Sequence, residues 1–338
     1  QQRGHADRLA ASRRHHKGEP VRLWYTDAMT SARRVVVTGA DGCVGSAIAD
    51  HLRAAGHQVI AQVFGREANA SMGEVRVDLT KEDFASALPR GPVDAIIHTA
   101  GMVNPRVPNS VMFAVNTGGT ERMLAWGAQQ GCGHFVQISS VSVYGARALG
   151  QARTEQTHRI RYAALAYARS KALAEQRIEK AGLPYTLLRL PMVIGRGDVF
   201  TSPVIVGGLR AGTLFVSGDG NVQATMIGVP NLGVLTEALL AAGPANAPLN
   251  FADHHLTWHE LLVAYAEAAG VPLTPRRPPL PLDVLRGRAS EYFLLYGMSR
   301  FGGHFPTDAL TAHLARAGQA PTLHDWRVAV RDAVESLR

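Results

Sequence analysis

From residue 34 onward, short apolar runs alternate with stretches of helical period. Val35-Val36-Val37-Thr38 is a β-branched run that ends in glycines, the pattern of a parallel strand buried on both faces. Residues 44–55 have helical spacing. Val59-Ile60-Ala61 opens a second strand, Val75–Val77 a third and Val93–His98 a fourth. The pattern then predicts a helix over about 111–130, a strand over 134–139, a helix over 161–181 and a strand over Tyr185–Leu190. Strands alternating with helices build βαβ units, so the expected fold is α/β with a doubly wound parallel sheet. After Pro191 the alternation loosens, a proline-rich stretch runs from Pro272 to Pro281, and helical patterns return at 257–269 and 307–337. Residues 191–338 therefore read as a smaller mixed C-terminal substrate-binding cap, with segments that return to the main sheet. Residues 1–31 carry no useful period and are expected to be a disordered extension. An Arg-rich targeting segment is the alternative, against which Asp7, Glu19 and Asp27 count.

Charge changes this picture little. The net charge is +8, which raises nucleic acid as a partner. Residues 1–34, however, hold eight Arg and Lys against three acids, and only three net positive charges remain for the other 304 residues. Binding to nucleic acid is therefore not expected. Cys43 and Cys132 are too few for a disulfide framework and have no metal-ligand spacing, which fits a reducing cytoplasm. No run of eighteen apolar residues predicts a membrane span, and no apolar signal core stands near the start.

The chemistry begins at Thr38–Gly45, T-G-A-D-G-C-V-G. Glycines at 39, 42 and 45 let the backbone approach a pyrophosphate, and the helix start behind them offers free N–H groups and a positive dipole end. Position after a strand and before a helix is the context such a turn requires. Gly39, Asp41, Gly42, Cys43, Val44 and Gly45 are thus candidate cofactor contacts. Asp78-Leu79, after the third strand, could hold an adenine amino group, although an Asp at a strand end is more often a cap. The second strand ends in Val63-Phe64-Gly65-Arg66, with no acid to hold ribose hydroxyls. Arg66 could face a 2′-phosphate, which favours NADP with NAD as the alternative; it could equally be a solvated loop charge.

Tyr167 and Lys171 form a Y-x-x-x-K on one helix face. A lysine ammonium beside a phenol lowers its pKa, and a phenol so tuned can move a proton at a carbonyl or hydroxyl. Alone, the same pair is a common surface i,i+4 contact. Ser140, in S-S-V-S-V-Y-G at the end of the fifth strand, lies at the sheet edge where ligands bind in such folds. Ser139 and Ser142 are rival hydroxyls and Tyr144 a decoy phenol.

Taken in order, Thr38–Gly45, Asp78-Leu79, His98-Thr99-Ala100-Gly101, Asn116–Thr120, Ser139–Gly145, Tyr167–Lys171 and Leu188–Pro191 resemble the extended short-chain dehydrogenase/reductases over about residues 34–198. The resemblance implies a Rossmann-type NAD(P)-binding domain over 32–190, with Ser140, Tyr167 and Lys171 as catalytic residues. It implies that Thr99, Ala100, Gly101, Asn116 and Pro191 line the cofactor, that Lys171 holds the nicotinamide ribose, and that the chain could form a homodimer.

Departures from the family sort its reactions. Val141 and Ser142 stand where nucleotide-sugar dehydratases carry an acid pair. No Asn follows Arg189 closely, and the usual V-D-D segment reads Val229-Pro230-Asn231. The expected activity is interconversion of a secondary alcohol and a ketone on a small-molecule substrate. A nucleotide-sugar epimerase is the alternative, and a non-catalytic NADP sensor the minor one. The aromatic run Tyr292, Phe293, Tyr296 and Phe301 could line an apolar pocket or pack as a buried helix. His254 and His255 would point to opposite faces of a strand, so no metal is assigned.

Overall fold

The computed structural model describes residues 32–104, 106–148, 150–160, 165–214, 220–274 and 302–338. The extension expected at 1–31, most of the proline-rich stretch and the aromatic run at 292–301 lie outside these residues.

The apolar runs form the strands expected of them. β1 (Arg34–Thr38), β2 (Gln58–Val63), β3 (Glu74–Arg76), β4 (Ala95–His98), β5 (Phe135–Ser140) and β6 (Tyr185–Leu190) are joined by β9 (Pro248–Asn250) in a seven-stranded sheet. Its order is β3-β2-β1-β4-β5-β6-β9 and every pairing is parallel. Chain order reverses between β1 and β4, which opens a crevice at their carboxyl ends. One face is packed by α1 (Cys43–Ala54) and α7 (Val229–Ala242), with Ile48, Leu52, Leu232 and Leu239 buried against Val35, Val37 and Ile97. On the other, Met123 and Trp126 of α4 (Gly119–Gln129) and Ile178 of α5 (Ala166–Glu179) pack with Val36, Ile96 and Phe135.

A smaller sheet, β10-β8-β7, is mixed: β7 (Met192–Ile194) pairs parallel with β8 (Gln223–Gly228), and β10 (His254–Thr257) antiparallel. It shares an apolar cluster with α6 (Thr201–Arg210) and α8 (Trp258–Ala269), around Trp258, Leu261 and Tyr265. Thr257 and Glu260 form a reciprocal capping box that fixes the start of α8.

Two helices depart from their expected spans. The single helix expected at 111–130 is α3 (Asn109–Phe113), a π-helical turn at Ala114–Gly118, and then α4. The helix expected at 307–337 is broken into α9 (Asp308–Arg316) and α10 (Trp326–Ser336). Gly318, at φ +68°, and Pro321 stop the first before the second begins. The short helix α2 (Phe84–Ala87), together with α6 and α7, lay outside the sequence expectation.

Candidate active site

The glycine turn sits at the β1 side of the crevice, and its glycines are required by close approach. A Cβ on Gly45 would stand 2.2 Å from the Gly39 carbonyl oxygen, and one on Gly39 would stand 2.8 Å from the Ala100 nitrogen. Gly42 precedes α1 in extended conformation, and no side chain caps the helix, so its first N–H groups face the crevice without a side-chain acceptor. This cradle fits a dinucleotide pyrophosphate. The β4 side is stitched to it: Thr99 donates to the Thr38 carbonyl, Ala100 N donates to Thr38 Oγ1 at 3.2 Å, and Thr38 Oγ1 shares a 2.7 Å bond with His98 Nδ1. His98 is fully buried, and burial holds it down at about 3, so the ring is neutral.

Asp41 turns back to the end of β2, its Oδ2 accepting from Phe64 N at 3.0 Å and Gly65 N at 2.6 Å. Arg66 is engaged with the protein: both arms of its guanidinium donate to the buried Glu74 carboxylate at 2.6 Å. That pair, with a bond from Asn69 N, holds Glu74 down at about 2. The Arg66 side chain remains 48% exposed. Asp78 accepts from Thr80 N and Thr80 Oγ1 at 2.9 and 2.7 Å, a local turn bond. Burial raises its carboxyl, and the Thr80 bonds outweigh it to leave Asp78 below its ordinary value.

Helix α5 brings its chemistry to the end of β5. Ser140 Oγ accepts from Ser142 N at 3.1 Å, and its hydroxyl favours a lower pKa at the Tyr167 phenol. Of the rival hydroxyls, Ser139 is turned away and donates to Glu175 at 2.6 Å, while Ser142 Oγ is buried with no partner among the described residues. Tyr144 is no rival phenol: it is fully buried and donates to Asn250 Oδ1 at 2.7 Å.

Lys171 is 4% exposed and donates from Nζ to the Ile138 carbonyl at 3.0 Å. Burial pulls it down to about 8, against the opposing pull of Glu175. Burial also raises the Tyr167 phenol, and the opposing pull of Ser140 only partly offsets that. The lowering expected from Lys171 is therefore not what sets the phenol here.

Asn116, in the π turn, accepts from Met102 N at 2.6 Å and donates to Met102 O and Ser170 Oγ at 2.9 Å each. It clamps the loop after β4 onto α5. Such wide turns often mark functional positions. Gly101 lies in that clamp, where a Cβ would stand 3.1 Å from Lys171 Nζ. Pro191 joins β6 to β7.

Sequence reasoning missed a buried polar network behind these groups. Glu175 is completely buried and paired to Arg189, itself 2% exposed. Arg189 stacks on the Tyr144 ring at 4.9 Å. The signals were present in the chain: Glu175 continues the four-residue spacing of Tyr167 and Lys171, and an Arg inside a buried strand needs a partner. In the smaller sheet, His255 shares a 3.1 Å bond with Thr225 and stacks on His304, while His254 lies 3.1 Å from Asp253. Asn231, where the sequence departs from V-D-D, bonds Asp253 and both backbone groups of His324.

Residues 35–222 match the NAD dependent epimerase/dehydratase family. A 2-alkyl-3-oxoalkanoate reductase from Stenotrophomonas maltophilia (strain K279a) is 28% identical over 316 residues, 88% of this chain and 93% of the relative. The Bordetella bronchiseptica enzyme WbmH, solved with NAD+, superposes with a TM-score of 0.70 at 19% identity, over 90% of this chain and 98% of that one. RMD from Pseudomonas aeruginosa, solved with NADPH, has a TM-score of 0.64 at 23% identity, over 90% of this chain and 99% of that one.

Proposed function

The chain belongs to the NAD dependent epimerase/dehydratase family, and from that premise we propose that it is an NAD(P)-dependent oxidoreductase interconverting a secondary alcohol and a ketone. The observation that carries this reading is the seating of α5 on the end of β5: Lys171 Nζ reaches the Ile138 carbonyl at 3.0 Å, two residues before Ser140, and Tyr167 stands one helical turn before Lys171. Two hydroxyls that can meet one substrate oxygen, beside a dinucleotide cradle, suit reduction of a carbonyl.

Backbone N–H groups at the start of α1 would hold the pyrophosphate of a dinucleotide and Lys171 its nicotinamide ribose, and the nicotinamide would supply or accept the hydride. Tyr167 moves the proton at the substrate oxygen, while Ser140 donates a hydrogen bond to the same atom. NADP is the proposed preference, through Arg66. Because Arg66 shares its fork with Glu74, that preference is modest.

Near-full-length similarity to a 2-alkyl-3-oxoalkanoate reductase supports a 3-oxo acid bearing alkyl chains as the substrate class. Leu165, just before α5, and Val199 and Phe200, in the loop after β7, leave apolar surface exposed near strand ends. They suit the alkyl part of such a substrate.

The test is consumption of NADPH or NADH with a panel of 3-oxo acids, other ketones and nucleotide sugars, followed by loss of nicotinamide absorbance. Turnover of a ketone is expected. Cofactor binding without consumption, with interconversion of a nucleotide sugar, would replace this reading by an epimerase.

A further inference from the structure

Three side chains at successive turns of α5 act on the last three residues of β5. Tyr167 has its phenol pulled down by Ser140, Lys171 donates to the Ile138 carbonyl at 3.0 Å, and Glu175 accepts from Ser139 Oγ at 2.6 Å. Only the first two belong to the catalytic set proposed above. Glu175 is the most enclosed of the three, and its carboxylate accepts three further bonds: Arg189 Nε at 3.1 Å, Arg189 Nη2 at 2.7 Å and Arg159 Nη1 at 3.1 Å. Arg189 stands opposite Ser139 in the β5–β6 register, so the carboxylate spans two strands and a helix.

We propose that Glu175 is a positioning residue for this site, its one buried carboxylate fixing Ser139, the neighbour of Ser140, while placing a negative charge one turn from Lys171. The proposal rests on the oxidoreductase reading for its kinetic consequence.

Two physical arguments support it. Ser139 is one peptide from Ser140, so a shift at Ser139 moves the Ser140 hydroxyl proposed to meet the substrate oxygen. A displacement of about 1 Å in a catalytic constellation can cost on the order of a hundredfold in rate. A buried ammonium also needs a nearby anion to stay charged at neutral pH. The groups facing Lys171 are Glu175 on its own helix, His98 from β4, Asn116 from the π turn, Gly101 from the loop after β4 and the Ile138 carbonyl from β5. His98 is neutral, and among these groups Glu175 carries the negative charge.

The chain has four lysines, Lys17, Lys81, Lys171 and Lys180, so ¹³Cε-lysine NMR of the full chain can follow Lys171, assigned by the signal that Lys171→Arg removes. The wild-type midpoint is expected near about 8. In Glu175→Gln it should fall by about one unit; an unchanged midpoint in the folded variant overturns the electrostatic half of the proposal. Removing the carboxylate leaves Arg189 buried without its partner, and that variant could fail to fold. Ser139→Ala keeps the charges and deletes only the strand contact. It should leave the Lys171 midpoint and cofactor affinity in place while kcat on the ketone falls about tenfold or more. Wild-type kcat in Ser139→Ala overturns the positioning half. The lysine titration needs no turnover, so absence of ketone reduction would sink the oxidoreductase reading while leaving the charge relationship decided on its own.

Discussion

Lys171 Nζ and the Ile138 carbonyl oxygen lie 3.0 Å apart, a bond that ties the middle of α5 to β5 just before the strand ends at Ser140. The lysine therefore serves the fold, and the role proposed for it toward a dinucleotide ribose would be a second duty. Lys171→Met should lower both Tm and cofactor affinity, measured by thermal unfolding and by titration with NADPH. Loss of affinity at wild-type Tm would mean that the strand contact contributes nothing.

Tyr167→Phe keeps the ring and deletes the phenolic hydroxyl. Cofactor binding should persist while turnover falls by a factor on the order of hundreds, the scale of general acid–base groups. Near-normal turnover in this variant would remove Tyr167 from the mechanism.

Gly45→Ala puts a methyl 2.2 Å from the Gly39 carbonyl oxygen and 2.6 Å from Thr99 Oγ1. Backbone at the turn must move, and overpacking of this kind costs about 1–3 kcal/mol. Denaturant unfolding should register the loss, and cofactor affinity should fall with it. A variant as stable as the wild type with unaltered affinity would show that the turn relaxes freely.

Glu74 decides how available Arg66 is. Glu74→Gln should weaken the fork that now engages both arms of the guanidinium and raise the NADP/NAD affinity ratio. Arg66→Glu should lower it. If neither substitution moves the ratio, Arg66 does not read the 2′-phosphate.

His134 is buried, and its Nε2 shares a 2.8 Å bond with Thr186 Oγ1, which also accepts from Ala245 N. Burial holds the ring down at about 3, against 6.5 in the unfolded chain. The unfolded chain therefore takes up the proton first as pH falls below 6.5, and folded stability drops. At pH 5 the expected loss is roughly 2 kcal/mol from this group. His134→Gln should lose that part of the pH dependence, so its stability relative to wild type should improve between pH 7.5 and 5. A constant difference across that range would refute the assignment.

What the sequence conveyed and what it hid divide on physical grounds. β6 spans Tyr185–Leu190 as its apolar run predicts, and α5 carries Tyr167 and Lys171 alongside β5, which ends at Ser140, because helix period and strand end are local properties. The π turn at Ala114–Gly118 had no local signal, since Asn116 is aimed by bonds to Met102 and Ser170 that only the folded chain supplies. Arg66 looked free because its partner Glu74 is eight residues away, across a turn whose path the local pattern does not reveal. Helix α7 has Pro230 in its first turn and Gly233 just after it, and α6 carries Pro203 with Gly207 and Gly208, so composition disguised both.

Both edges of the seven-stranded sheet are only three residues long. β3 carries Glu74 and Arg76, each engaged in an ion pair, with Arg66 and Glu67 respectively. β9 starts at Pro248, which has no N–H to offer, and its Asn250 N–H is given to Glu155 at 2.7 Å. A wide parallel sheet would ordinarily present two rows of unmatched backbone groups to any passing strand. Here short, charged and proline-marked borders leave little to pair with, so the architecture that spreads a cofactor crevice across seven strands also guards the chain against edge-to-edge aggregation.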